Sequence, residues 1–310
     1  MVQPCGRVVF STGDLTRRAA SSSSRSGYSI ASVVGSALDG FFSVLFPGNC
    51  RLCSTPLIRL SGLPVCDPCL DDIAALGEAD PVCWACGERL LGPPEPQRLC
   101  LECTRLAPPF RRAMAYGSYD GGLRELIHLL KYERVRSAAP VLGRMLAEAA
   151  LGLRPEFTAP PLVIPVPLHA GKLRQRGFNQ AELIARALLK NVGDWKLELD
   201  ATILERRRAT GSQIGLSRAQ RQQNLRGAFA VGRAHAVAGR DILLVDDVYT
   251  TGTTVTECTR VLRRAGADNV WVVTVARVLK RVTASVSLDR EDWDMAASNA
   301  AAPRARAAQA

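Results

Sequence analysis

The chain has 310 residues, 47% of them hydrophobic, with 40 Lys and Arg against 29 Asp and Glu, a net charge of +11. That length suits one α/β domain of ordinary size plus a small accessory domain, and the apolar content fits a globular protein. No run approaches ~18 consecutive apolar residues, which excludes a membrane-spanning helix, and the basic excess favours anionic partners: phosphorylated metabolites, nucleic acid or an acidic protein.

Residues 1–29 are Ser-rich, with several Arg and a single acid, Asp14. They lack a clear apolar core with a small-residue cleavage site, so a disordered extension or an over-early start is expected in place of a targeting peptide. Residues 30–105 are expected to hold a leading helix and a Cys-rich module. In the helix, Ile30, Val33, Val34, Ala37, Leu38, Phe41, Phe42 and Leu45 recur at 3.6-residue spacing. Its other face carries Ser and Gly instead of Lys or Arg, so it is expected to pack on its own protein and not on a membrane surface.

Eight of the ten cysteines then form four Cys-x-x-Cys pairs: Cys50/Cys53, Cys66/Cys69, Cys83/Cys86 and Cys100/Cys103. Each such turn places two thiolates on one tetrahedral ion, and two turns complete a Cys₄ site. Two structural Zn²⁺ ions are expected, with pairs grouped in sequence; cross-brace pairing stays open. Disulfides would need an oxidising compartment, and nothing argues secretion. The even spacing fits zinc ribbons better than an iron–sulfur cluster. So few large apolar residues cannot build a core, so metal is expected to supply the folding energy, and chelation to unfold this module alone. A closed Cys₄ site has no open position for catalysis, which leaves docking as its function. Cys5, and Cys258 on an apolar helix face, are expected to be inert.

Residues 106–282 carry alternating helix and strand. Leu123, Leu126, Ile127 and Leu130 stripe one helix, Val141, Leu142, Met145 and Leu146 the next, and Leu183, Ile184, Ala187 and Leu188 another. Leu162–Val166, Ile242–Val245 and Val270–Val275 read as buried parallel strands. The pattern predicts an open, mostly parallel sheet flanked by helices. Residues 283–310, Ala-rich and polar, are expected to be mostly disordered.

The most informative stretch is Asp241 to Thr254, DILLVDDVYTTGTT. An apolar strand leads into two adjacent carboxylates, Asp246 and Asp247, where open α/β sheets place their ligand crevice. Thr250, Thr251, Gly252, Thr253 and Thr254 follow without a long side chain. The helical spacing of Val255, Cys258 and Leu262 starts there. Backbone N–H groups at a helix start, with several hydroxyls and a glycine, make a phosphate site. Paired carboxylates suit vicinal hydroxyls or a hard cation such as Mg²⁺. A ligand with a phosphate at one end and a diol about one ribose away fits both.

Two further segments are basic. Pro167–Asn179, after the second strand, carries Lys172, Arg174 and Arg176 on an expected loop. Such a loop at a strand's carboxyl end suits a pyrophosphate, with Arg174 and Arg176 as its charges. His169, alone on this loop, is read as incidental. From Ile203 to Arg226 there are six Arg and one Glu, a net of +5. Arg208, Gln213, Arg218 and Arg221 lie in this stretch. A patch for single-stranded nucleic acid here would want interleaved aromatics, and Phe229 alone supplies them.

The Asp246–Thr254 block resembles the phosphoribosyl pyrophosphate (PRPP) signature of type I phosphoribosyltransferases. The resemblance implies that Asp246 and Asp247 hold the ribose hydroxyls, that Thr250–Thr254 cradle the 5-phosphate, that the Arg174–Arg176 loop meets the pyrophosphate, and that the stretch with Arg208, Gln213, Arg218 and Arg221 is a long flexible loop that closes over the substrate, a reading that competes with the nucleic-acid patch. The four Cys pairs, Leu130-Lys-Tyr132, Pro165-Val-Pro-Leu168, Arg176-Gly-Phe-Asn-Gln180, the Arg218…Asn224…Phe229 segment and the acid pair together resemble the ComF (competence protein F) family over roughly residues 38–280. That resemblance implies a double zinc ribbon followed by a type I phosphoribosyltransferase domain, and a link to DNA uptake and natural transformation. No glutaminase part with a nucleophilic cysteine is visible, so ammonia transfer from glutamine is not implied. Two functions remain open. The first is a cytoplasmic enzyme that binds PRPP with Mg²⁺ and transfers phosphoribosyl to an acceptor with release of pyrophosphate. The second is a non-catalytic PRPP-, nucleotide- or single-stranded-DNA-binding adapter that docks a helicase-like competence partner through its ribbons.

Overall fold

The computed structural model describes residues 48–57, 62–76, 81–93, 95–209, 218–279 and 285–287. The expected extension at 1–29 and the leading helix at 30–46 lie outside the described residues, as does most of the expected tail.

Five strands form one parallel sheet in the order β2-β8-β7-β3-β4. They are β2 (Ala113–Ser118), β3 (Leu162–Pro165), β4 (Glu198–Leu199), β7 (Asp241–Tyr249) and β8 (Asn269–Arg277). The sequence pattern anticipates β3, β7 and β8. It misses β2, whose register AMAYGS has no long aliphatic residue, and β4, which is two residues long. In β7, Ile242, Leu243, Leu244 and Val245 are fully buried. Alternation sends Leu243 and Val245 to one face of the sheet and Ile242 and Leu244 to the other.

On the first face pack α3 (Gly121–Lys131), α4 (Ala138–Leu151) and α6 (Gln180–Leu188). Gly143 of α4 lies so near Ala187 of α6 that a Cβ would overlap it, so the two helices approach at backbone distance. On the second face lies α8 (Thr253–Arg264), with a small antiparallel pair, β5 (Leu204–Arg206) and β6 (Phe229–Val231).

The cysteine module divides between these faces. Cys50, Leu63, Val65 and Ile73, around α1 (Asp67–Asp71), belong to the first face's core. Cys83, Cys86, Cys100 and Cys103, with Leu90 and Leu99, belong to the second. The latter group includes β1 (Arg98–Cys100) and α2 (Leu101–Arg105). Ala113 N–H donates to the Ala85 carbonyl, 2.8 Å, which ties this ribbon to β2. Both Cys groups thus lie in the same buried clusters as the α/β domain. Within the expected tail, Ser285–Ser287 form β9, paired antiparallel with β1.

Candidate phosphoribosyl site

β7 continues through the acid pair to Tyr249, so Asp246 and Asp247 lie on the strand itself and not beyond it. Asp247 is 5% exposed. Its Oδ1 accepts from Lys131 Nζ, at the end of α3, at 2.8 Å. Its Oδ2 is buried with no hydrogen-bond partner. Such an atom marks a position where a ligand donor or cation belongs, because a bare buried carboxylate oxygen is costly. Asp246 Oδ1 accepts the Asp247 backbone N–H, 2.9 Å. Burial, then the neighbouring Asp247, push the Asp246 carboxyl up to about 7, against the pull of Lys131. Burial alone would lower the Lys131 ammonium, but Asp247 and then Asp246 outweigh it and hold it above its usual value.

The loop after β7 turns at Gly252, φ +72°, which caps α8 in the left-handed conformation. A Cβ there would overlap the Tyr249 hydroxyl, so the position demands glycine twice over. Thr253 opens α8 and is buried; Thr250 is exposed, and Thr251 and Thr254 are half-buried. The Thr251 and Thr253 hydroxyls lie 2.8 Å apart. With the first amides of α8 they make an oxygen- and N–H-lined turn fit for an anion.

The expected basic loop is partly helical. α5 (Ala170–Arg176) is capped at its start by His169, whose Nδ1 accepts the Gly171 N–H at 3.2 Å, and at its end by left-handed Gly177. His169 is thus a cap. Arg174 is exposed in the last turn. Arg176 donates to Gln180 Oε1 and lies 5.9 Å from the Tyr132 ring centroid. Asn179 caps α6 by accepting the Ala181 N–H, 3.1 Å, and donates to the Val166 carbonyl, 3.0 Å. Phe178 is buried beneath Arg136. The run Arg176-Gly-Phe-Asn-Gln180 therefore fixes the turn between β3 and α6. Partial burial of its ammonium lowers Lys172, and Arg206, Arg176 and Lys131 lower it further. Burial likewise lowers the Arg206 guanidinium, against the pull of Cys258 and then Asp246.

The segment expected as one flexible loop is built on β5 and β6, with α7 (Arg218–Leu225) between them. Leu204, Leu225, Ala228 and Phe229 are buried in the second core, and Gly227 N–H donates to buried Glu257, 3.0 Å. Apolar burial at both ends makes the base of the segment rigid. Arg208 donates to the carbonyls of Asn224 and Arg226, 2.8 Å each. It therefore closes the hairpin here. Gln213 and the side chains of Arg218 and Arg221 lie outside the described residues.

The eight ribbon thiols form two sets, Cys50, Cys53, Cys66, Cys69 and Cys83, Cys86, Cys100, Cys103, with the sulfurs of each set within 4.8 Å of one another. This is the sequential grouping. Backbone N–H groups of Leu52 and Cys66 reach Cys50 Sγ at 3.4 Å each. Burial raises that thiol, but backbone N–H groups led by Cys66 outweigh it and bring it down to about 6, which favours the thiolate. Four convergent sulfurs fit a thiophilic tetrahedral ion.

Sequence reasoning assigns no role to Lys131, Tyr249 or Arg277. Leu130-Lys-Tyr132 signals a lysine, but its ion pair spans distant segments that no local spacing joins. Arg277, 3% exposed, donates to the Cys86 carbonyl, pairs with Glu88 at 2.9 Å and stacks 4.4 Å over the Tyr249 ring.

The phosphoribosyl transferase domain family matches residues 173–299. DNA utilization protein YhgH of Salmonella typhimurium is 34% identical over 236 residues, 75% of this chain and 98% of that protein. Competence protein F of Haemophilus influenzae is 30% identical over 216 residues, 69% and 90% respectively. Glutamine PRPP amidotransferase from B. subtilis is similar at 27% identity with a TM-score of 0.29, over 44% of this chain and 26% of that one. The domain match, the two Cys₄ groups ahead of it and the similarity to DNA utilization protein YhgH and competence protein F agree: the chain belongs to the competence protein F family.

Proposed function

We propose that this protein binds PRPP with Mg²⁺ and transfers its phosphoribosyl group to an acceptor, releasing pyrophosphate. The observation that carries the reading is the acid pair beside the Gly252 turn. A buried, unpartnered Asp247 oxygen lies on the same strand that leads into an anion-fitted helix start. In this reading Asp246 and Asp247 hold the two ribose hydroxyls. Thr250, Thr251, Gly252, Thr253 and Thr254 cradle the 5-phosphate. Lys172, Arg174 and Arg176 neutralise the pyrophosphate, and Mg²⁺ bound with PRPP near Asp246 and Asp247 would add to that charge neutralisation. An acceptor nucleophile forms a bond to C1 as the C1–O bond to pyrophosphate breaks. Pyrophosphate leaves with the electron pair, and the acceptor sheds its proton. Catalysis is positioning plus charge neutralisation of the leaving group. Closure of the segment between β5 and β6, with Arg218 and Arg221, would exclude water from the oxocarbenium-like transition state.

The two Cys₄ groups hold zinc in this reading, in a cytoplasm that keeps their thiols reduced. The relatives named for DNA utilization and for competence support a link to DNA use. They favour a second reading: a non-catalytic adapter that senses PRPP, binds single-stranded DNA and docks a helicase-like partner. Incubating PRPP and Mg²⁺ with candidate acceptors and following pyrophosphate separates the two. Release that disappears in Asp246→Asn/Asp247→Asn supports the enzyme. Ligand binding without release, with salt-sensitive DNA binding, supports the adapter.

A further inference from the structure

The second Cys₄ group and the phosphate turn are joined by one buried guanidinium. Arg277 ends β8, next to the end of β7, where its register partner is Tyr249. It donates to the Cys86 carbonyl, approaches Cys86 Sγ at 3.6 Å and pairs with Glu88, itself 4% exposed. All three acceptors belong to the turn that presents Cys86. Within that turn, Cys83 N–H donates to the Glu88 carbonyl and Gly87 N–H to the Cys83 carbonyl, 2.7 Å each. The opposite surface of Arg277 covers the Tyr249 ring at 4.4 Å. Tyr249 in turn sits against Gly252, where any Cβ would overlap its hydroxyl. A contact chain therefore runs Cys86, Arg277, Tyr249, Gly252, from a metal-fitted thiol set to the amides of the anion turn.

Beside this chain the ribbon and the turn are separated by a cavity of about 260 Å³. Its walls include Cys86, Cys103, Thr251, Thr253 and Arg260. Alongside the shared core of the second face, Arg277 and Tyr249 bridge from Cys86 to the turn at the edge of that space. A buried guanidinium holds one position only while its acceptors are fixed. Four sulfurs closed on one ion fix them; four free thiols do not.

We propose that Arg277 is a positioning residue that couples the second Cys₄ centre to the phosphate turn, so that a phosphate ester held by Thr250–Thr254 and a metal held by Cys83, Cys86, Cys100 and Cys103 each strengthen the other's binding. This rests on the phosphoribosyl reading of the turn. Coupling of this kind is reciprocal and typically spans roughly 5- to 150-fold. It gives the ribbon a role that docking alone does not, because metal loss would loosen the phosphate turn of the same chain.

The test uses the full chain loaded with zinc. Zinc loss to a zinc-selective chromophoric chelator is timed with and without PRPP plus Mg²⁺, and ligand binding is read separately as a thermal shift. The expected result is that the ligand slows release of one of the two zinc ions by about fivefold or more. Arg277→Met, still holding two zinc ions, should lose that protection, and Arg277→Lys should restore part of it. Should Arg277→Met not fold, Tyr249→Leu interrupts the same chain one contact further on. A thermal shift in the wild type with both zinc ions leaving at unchanged rates overturns the coupling while sparing the ligand reading. Absence of any thermal shift overturns the ligand reading and the coupling with it. Protection that persists in Arg277→Met overturns the assignment to Arg277.

Discussion

Lys131→Met removes the cation that neutralises Asp247 and leaves a carboxylate in place with nothing opposite it. The lysine side chain is 15% exposed and the aspartate 7%, so water does not stand in for the missing ammonium. Breaking one side of such a buried pair costs about 3–5 kcal/mol. For a protein of this size each kcal/mol moves the melting midpoint by about 2–4 °C, giving a loss of roughly 6–20 °C. Lys131 also holds the Asp246 carboxyl down, so the lost positive charge raises that carboxyl further and the variant should lose more stability at pH 8 than at pH 6. Lys131→Met combined with Asp247→Leu leaves no buried charge at the pair and should recover most of the loss, a non-additivity that reports the contact directly. The assay is thermal unfolding of the zinc-loaded protein followed by circular dichroism. A single variant melting within about 2 °C of wild type would mean that the carboxylate finds water in the cleft, and the pairing argument would fail.

Four further outcomes follow from the same geometry. The Asp246 carboxyl is raised to about 7 from an unfolded value of 3.8, so between those values the folded state keeps a proton that the unfolded chain has lost. Its contribution to stability therefore falls as pH rises through that window and is lowest above about 7, and Asp246→Asn should gain midpoint relative to wild type at pH 8 but not at pH 4. Gly252→Ala meets both a positive φ and the Tyr249 hydroxyl; it should cost at least about 1–2 kcal/mol and abolish any PRPP-induced shift in the melting midpoint. Asn179→Ala loses a helix cap and the tether to Val166, and urea titration should show a cost of about 1–2 kcal/mol. Chelating the zinc should increase proteolysis at the Thr250–Thr254 turn as well as in the ribbons; cleavage confined to residues 48–105 would contradict a shared core.

The site's ends were legible in the sequence because they are local. Asp246, Asp247 and the turn at Gly252 lie within one strand–turn–helix unit, and the Cys-x-x-Cys pairs carry their own spacing. What was not legible depends on chain segments that meet only in the fold. Lys131 reaches Asp247 from the end of α3, and no periodicity announces a lysine whose partner lies on another element. The basic stretch after β3 read as a loop, yet His169 and Gly177 supply a cap at each end of a short helix. The Arg-rich segment read as a long flexible loop, because its buried residues Leu225, Ala228 and Phe229 are few and their core partners lie on other elements. The ribbons read as a separate unit because their own apolar content is small. Their burial comes from opposite faces of a sheet whose strands appear later in the chain.

Thermal unfolding with millimolar PRPP and Mg²⁺ tests the central claim most directly. At about one hundred times its dissociation constant a ligand of the folded state adds ~2.7 kcal/mol. The wild-type midpoint should therefore rise by several degrees, and Asp246→Asn/Asp247→Asn should show no rise. An unchanged wild-type midpoint, or an equal rise in the double variant, would contradict a phosphoribosyl ligand held by this acid pair.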